Sequence, residues 1–328
     1  MKKIILAAMA FAALAACTKE TTVDVAREEI TFGNAFVDNS TKADAATDPS
    51  YSTTGKGVAL TQFNVYGAVN GVNIFNGNTV SKGEAAYGSA WTLTGTKQYW
   101  IAGADYKFVG VVDGTKGGVT AITPDAAGLP ETITYTADGA TDLLCDVVTV
   151  DDAASPYGVV AFNYTHLLSK INFAVKNTTD ASATNYRFVL TSAKLTNAYE
   201  SAVYDVNNDK WTPAATMRDF ALENLTINSA ATQYHSQEVL LIPGSAVGVY
   251  IAANIEATDN GTDWTVVSTV EKTFANALGM VDSTPKTLER ATAYNFIVEL
   301  GVGTEIQFTA EEMPDWTDGD GADDTILQ

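Results

Sequence analysis

Val58–Val69 reads VALTQFNVYGAV, and Asn70-Gly71 follows it before Val72-Asn73-Ile74-Phe75. Leu60, Gln62, Asn64 and Tyr66 fall on one side of an extended chain, and Thr61, Phe63, Val65, Gly67 and Val69 on the other. That period of two is the pattern of a strand. Asn-Gly supplies the two left-handed residues of a tight hairpin, so the strand is expected to turn back into Val72–Phe75. Asn76-Gly77-Asn78 is then expected to turn the chain again.

The same grammar extends outward in both directions. Short apolar runs between Gly, Asn, Asp and Pro give further strands at Glu131–Thr136, Leu143–Val150, Gly158–Asn163 and around Ile171, Phe173 and Val175. Others follow at Tyr186–Leu190, Ala193–Val206, Glu238–Ile242, Gly248–Glu256 and Ala291–Leu300. Pro243-Gly244 turns the chain between two of these, and Asp259-Asn260-Gly261 makes a hairpin into Trp264–Phe274. No helical period is sustained beyond the first sixteen residues, so the class is all-β. At 328 residues the chain has room for two sandwiches with their own cores, and the boundary is placed between residues 160 and 161. The first body domain is then 43–160 and the second 161–328.

Lys+Arg total 19 against 39 Asp+Glu, a net charge of -20, which repels nucleic acid and anionic membrane surfaces. There is no G-x-S-x-G, no H-E-x-x-H and no phosphate-binding glycine loop, and no carboxylate pair stands out. Catalysis is not expected, and no cofactor or metal is implied. Of the two histidines, His166 and His235, neither has a second ligand at metal-site spacing, so His166 is read as a structural histidine at a domain junction. Trp91, Tyr99, Trp100 and Tyr106 form the most aromatic stretch. A glycan-stacking platform at Trp91, Trp100 and Tyr106 is one reading of it, and core filling is the favoured one.

The N-terminus has its own logic. Lys2 and Lys3 precede an apolar run, Ile4–Leu14, that is too short to span a bilayer, and Leu14-Ala15-Ala16-Cys17 closes it with small residues before a cysteine. Residues 1–16 are therefore read as a lipoprotein signal peptide cut between Ala16 and Cys17, with the Cys17 thiol acylated and tethered to the envelope. The only other cysteine is Cys145, so no internal disulfide remains. Residues 17–42 form a leader in which Glu29–Val37 (EITFGNAFV) suits a half-buried strand carrying Ile30, Phe32 and Val37, with Gly33 and Asn34 weakening it or marking a bulge. Asp38–Thr54 is polar and unpatterned, an exposed stretch in which Lys42 offers a basic site for a protease.

At the other end Glu305–Thr309 alternates, and Ile306, Phe308, Met313 and Trp316 supply an apolar series that is free to pair with a neighbour if its own sandwich is complete. Asp315–Asp324 crowds aspartates among glycines but misses the EF-hand template, since Ala322 takes a ligand position, and is read as a solvated terminus.

Taken in order, the Cys17 lipobox, Ser40-Thr41-Lys42-Ala43, Leu60–Tyr66, Tyr99-Trp100 with Tyr106-Lys107-Phe108, His166–Ile171 and the Tyr294, Ile306, Trp316 series resemble the fimbrillin family of type V pili. The resemblance implies two tandem transthyretin-like β-sandwich domains, exported as a lipoprotein to the outer membrane and carried on surface fimbriae of Gram-negative bacteria. It implies a trypsin-like maturation protease that removes the leader strand, here between Lys42 and Ala43 or alternatively at Arg27. It also implies a donor strand from the C-terminus of another fimbrial subunit, in a homopolymer or with accessory subunits, that refills the opened groove. Host or bacterial surface ligands are further implied partners. The family's cleavage residue is usually arginine, and Lys42 departs from that. A surface glycan-binding lipoprotein that does not polymerise is the alternative. Replacing Cys17 by alanine should abolish incorporation of labelled palmitate and release the protein from the membrane fraction, read by metabolic labelling and fractionation.

Overall fold

Asn70 and Gly71 sit at φ values of 47° and 76°, so the chain reverses in two residues and Val69 pairs with Val72. The hairpin they close joins Gln62–Val69 to Val72–Ser81. Asn76-Gly77-Asn78 does not turn the chain, contrary to the expectation. Gly77, at φ 73°, is an extra residue between Asn76, opposite Tyr66, and Asn78, opposite Val65, and the strand runs through this bulge to Ser81. A turn there would forfeit the pairs from Val65↔Asn78 to Gln62↔Ser81, so the ladder overrides the local preference.

The computed structural model of the chain describes residues 27–33, 36–37, 60, 62–82, 91–113, 118–179, 185–228, 234–280 and 286–313. Among the described residues the only helical element is a single 3-10 turn at Ala277–Met280, and the chain is all-β. Its strands form four sheets. The largest runs Phe36–Val37, Asn163–His166, Leu144–Val150, Tyr106–Val112, Gln62–Val69, Val72–Ser81, Thr92–Leu93. A second runs Lys210–Pro213, Ser201–Asp205, Pro130–Thr136, Val119–Pro124. The third is Tyr234–Leu241, Ser169–Asn177, Ala293–Leu300, Gln307–Met313. The fourth is Met217–Ala221, Tyr186–Tyr199, Gly248–Ala257, Thr265–Phe274, with Thr226–Asn228 also paired to Tyr186–Tyr199.

The expected strand at Gly158–Asn163 begins instead at Asn163, because the residues before it direct hydrogen bonds to the N-terminal segment. Ala193–Val206 is likewise not one strand. Tyr186–Tyr199 is continuous through a bulge after Leu190, and beyond Glu200 the chain enters a different sheet as Ser201–Asp205. His166 is buried with Nδ1 2.5 Å from Asp142 Oδ2, a structural pair close to where the chain passes between sheets.

Tyr106–Val112 explains the layering. Tyr106 and Phe108 are buried on one face of the strand, Val109 and Val111 on the other, so the largest sheet is covered on both sides. One face holds a separate aromatic cluster with Phe63, Phe75, Phe162 and Tyr164. The other packs Val109, Val111 and Cys145 on Ile133, Tyr135, Ala202 and Tyr204, and this core continues through Leu167 and Leu168 to Ile171, Phe173 and Phe296.

Strands from beyond residue 160 therefore complete sheets built by residues before it. Asn163–His166 joins Leu144–Val150, and Ser201–Asp205 joins Pro130–Thr136. Trp211, on the returning arm, packs its ring 5.2 Å from Tyr204 and 6.2 Å from Tyr135, and its Nε1–H donates to the Leu167 carbonyl at 2.7 Å. Trp211→Ala should cost about 3 kcal/mol, the low end for removing a large aromatic because the indole is partly buried. Urea unfolding of the variant against the parent measures it.

Candidate functional site

Residues 28–33 run extended between two other parts of the chain. On one side the Ile30 N–H donates to the Gln98 carbonyl and the Trp100 N–H to the Glu28 carbonyl, both at 2.9 Å. On the other the Gly33 N–H donates to the Val160 carbonyl at 3.1 Å and the Val160 N–H to the Thr31 carbonyl at 2.9 Å. Glu29 faces Tyr99 antiparallel, and Phe32 faces Val160 in parallel. Phe36–Val37 then pairs in parallel with Asn163 and Tyr164. A segment bonded on both flanks is an internal strand of the structure, not an edge.

Alternation decides what this strand does. Ile30 and Phe32 point inward, 1% and 6% exposed, while Thr31 between them is exposed. The Phe32 ring lies edge-on to Phe75 at 5.5 Å, Phe108 at 5.9 Å and Phe63 at 6.4 Å, and stacks with Phe162 at 6.3 Å. Each of the two side chains contributes about 1.5–3 kcal/mol by burial, and each backbone bond about 0.5–1.5 kcal/mol net. Gly110 makes room beneath: a Cβ there would lie 2.3 Å from Tyr164 Oη. Burial pushes the Tyr164 phenol well above its ordinary range, so it stays neutral. At the surface Glu29 pairs with Lys97 at 2.7 Å, and that hydrogen bond holds the exposed ammonium above its ordinary value.

The sequence-derived site residues divide among three places. Ile30 and Phe32 lie in this groove, and the backbone of Val37 pairs with Tyr164. Arg27, just before them, is exposed. Ile306 and Phe308 belong to a different sheet and core, where among the described residues Gln307–Met313 is an edge strand on Ala293–Leu300. Met313 closes that strand with its Sδ accepting from Asn172 Nδ2 at 2.7 Å. Ala16, Cys17, Lys42, Ala43, Trp316 and the aspartates at 315–324 lie outside the described residues. The groove and the last strand are thus not brought together within one chain.

Of the aromatic stretch, Trp100 and Tyr106 are core, while Tyr99 is 41% exposed. Trp100 is 8% and Tyr106 2% exposed, stacked with or edge-on to Tyr157 and one another, and Trp91 is half-buried against Phe63 at 5.2 Å. A stacking platform at Trp91, Trp100 and Tyr106 is not presented to solvent. Sequence reasoning missed the lining of the groove, Phe63, Phe75, Phe108 and Phe162. The signal was there only as shared parity of phenylalanines on strands far apart in the chain. Cys145 is a buried free thiol whose burial pushes it up to about 12, out of reach of ordinary thiol chemistry. Among the described residues no group of three or more His, Cys, Asp and Glu side chains converges to hold a metal, and no helix is long and apolar enough to cross a membrane.

An all-β body whose aromatic groove is filled by its own N-terminal segment defines a self-complemented β-sandwich protein. The chain belongs to the fimbrillin-like family, whose model matches residues 19–316. Its fold is similar to the crystal structure of a fimbrial protein from Bacteroides vulgatus, with a TM-score of 0.56 at 15% identity, covering 89% of this chain and 100% of that one. It is also similar to a candidate cell-adhesion protein from Bacteroides uniformis, with a TM-score of 0.56 at 13% identity, covering 89% and 99%. None of the curated proteins matches its sequence. Phe32→Ala should lower stability by about 3–5 kcal/mol, since the ring leaves a cavity among four others. Differential scanning calorimetry of the full chain checks this.

Proposed function

We propose that the chain is a structural subunit of a surface fimbria, exported as a lipoprotein through Cys17 and assembled by donor-strand exchange. The supporting observation is the seat of Ile30 and Phe32: a segment that precedes the basic residue Lys42 in the sequence completes the aromatic core built by Phe63, Phe75, Phe108 and Phe162. Membership of the fimbrillin-like family supports the same reading.

A cut after Lys42 would detach residues 28–33 from the body and leave Phe63, Phe75, Phe108 and Phe162 uncovered on one side. Strand addition restores both the backbone ladder and the apolar cover, with alternate side chains giving specificity. Contacts of this kind run head to tail and give open filaments. A cut at exposed Arg27 would have a different result, because Ile30 and Phe32 stay with the body. An arginine-specific protease therefore leaves the groove filled, and a lysine-accepting one opens it.

Limited trypsin digestion of the full chain, followed by N-terminal sequencing and electron microscopy, tests this. The expected product starts at Ala43, has lost the leader strand and forms filaments, and deletion of residues 301–328 abolishes them. A product that starts at Ala43 yet stays monomeric at all concentrations would refute donor-strand assembly.

A further inference from the structure

Three buried side-chain polar atoms among the described residues have no hydrogen-bond partner, and two of them, Tyr164 Oη and Trp100 Nε1, belong to the aromatic cluster that the leader covers. A buried donor left in that state costs about 1–3 kcal/mol, and folded proteins keep few of them. Trp100 retains 8% exposure, while Tyr164 has none. The phenol is therefore the one that needs an account.

Packing does not supply it. The cluster holds Phe63, Phe75, Phe108 and Phe162, and a phenylalanine at 164 would make the same ring contacts, stacked on Phe162 at 5.4 Å and tilted against Phe63 at 5.7 Å. The hydroxyl adds a requirement instead, because any Cβ at Gly110 would collide with it. Asp146, whose charge acts on the phenol, accepts from the Asn163 N–H with one carboxylate oxygen at 2.7 Å and from the Val147 N–H with the other at 2.8 Å. The leader residue paired with Tyr164 is Val37, and valine has neither donor nor acceptor in its side chain.

We propose that Tyr164 sets the groove's preference among strands, in favour of one that brings an uncharged hydrogen-bonding side chain, from Ser, Thr, Asn or Gln, to the position that Val37 holds. The inference rests on the strand replacement proposed above and adds the chemistry that selects the replacing strand. Such a strand keeps apolar side chains at the positions of Ile30 and Phe32, where the lining is aromatic throughout. A charged side chain opposite Tyr164 is selected against, because it would be buried without an ionic partner. The leader thus holds its seat with one hydrogen bond unmade, and a strand that makes it has the advantage.

Urea unfolding of the intact full chain tests the hydroxyl first. Tyr164→Phe should leave the midpoint unchanged or raise it, whereas loss of a bonded hydroxyl would lower it. Val37→Thr or the longer Val37→Gln should raise the midpoint, and neither should do so in the Tyr164→Phe chain. A fall with Tyr164→Phe, no rise with either Val37 variant, or an equal rise in both backgrounds would overturn the proposal. Fluorescent peptides of residues 27–40, parent and Val37→Gln, are then offered to the trypsin-opened chain and read by anisotropy. The Val37→Gln peptide should bind about tenfold more tightly, as expected for one buried donor satisfied, and no more tightly than the parent peptide when the opened chain carries Tyr164→Phe. If both peptides bind alike to the opened parent chain, Tyr164 sets no preference while strand replacement stands. If neither binds, strand replacement falls with it.

Discussion

The seat of the Phe32 ring is the constraint around which the first half of the molecule is arranged. Four phenylalanines from four separate stretches, Phe63, Phe75, Phe108 and Phe162, converge on it. Such a cluster is stable in water only when covered, since each exposed ring forfeits the burial that drew it in. The cover is six residues from the chain's start, held by backbone bonds on both flanks. The sheet order follows from that need: Asn163–His166 lies where it can flank the leader, and residues 158–162 give up regular pairing to do the same.

The cluster is also kept apart from the main core. Tyr106 and Phe108 face it while Val109 and Val111 face away, toward Ile133, Tyr135 and the continuous core that reaches Phe296. One strand, Tyr106–Val112, is thus a wall with a different population of side chains on each face. Removal of the Phe32 ring touches only one of those populations. The aromatic cluster and the main core are two separate packings that share one strand.

Much of this was legible in the sequence, in particular ways. Alternation in Gln62–Val69 and the Asn70-Gly71 turn gave the hairpin, and Ile30 with Phe32 could be read as one face of a strand. What misled was local: Asn76-Gly77-Asn78 has turn chemistry, yet long-range pairing made it a bulge. What was hidden was non-local. Nothing in Ala193–Val206 signals that the chain changes sheets at Glu200, since both parts alternate equally well and only the identity of the neighbour differs. The groove lining was hidden for the same reason, each phenylalanine being an ordinary strand residue until the others stand beside it.

The excursion of residues 201–213 to pair with Pro130–Thr136 has a mechanical meaning. A chain that passes once between two bodies leaves a swivel at the passage. This one passes at residues 166–169, goes back at 199–201 and returns at 213–217, and Trp211 pins the excursion to the Leu167 carbonyl beside the first passage. The passages, with an uninterrupted core between them, remove the swivel and leave a strut. Relative rotation of the sheets on the two sides of residues 166–169 is opposed at each of the three passages, not at one.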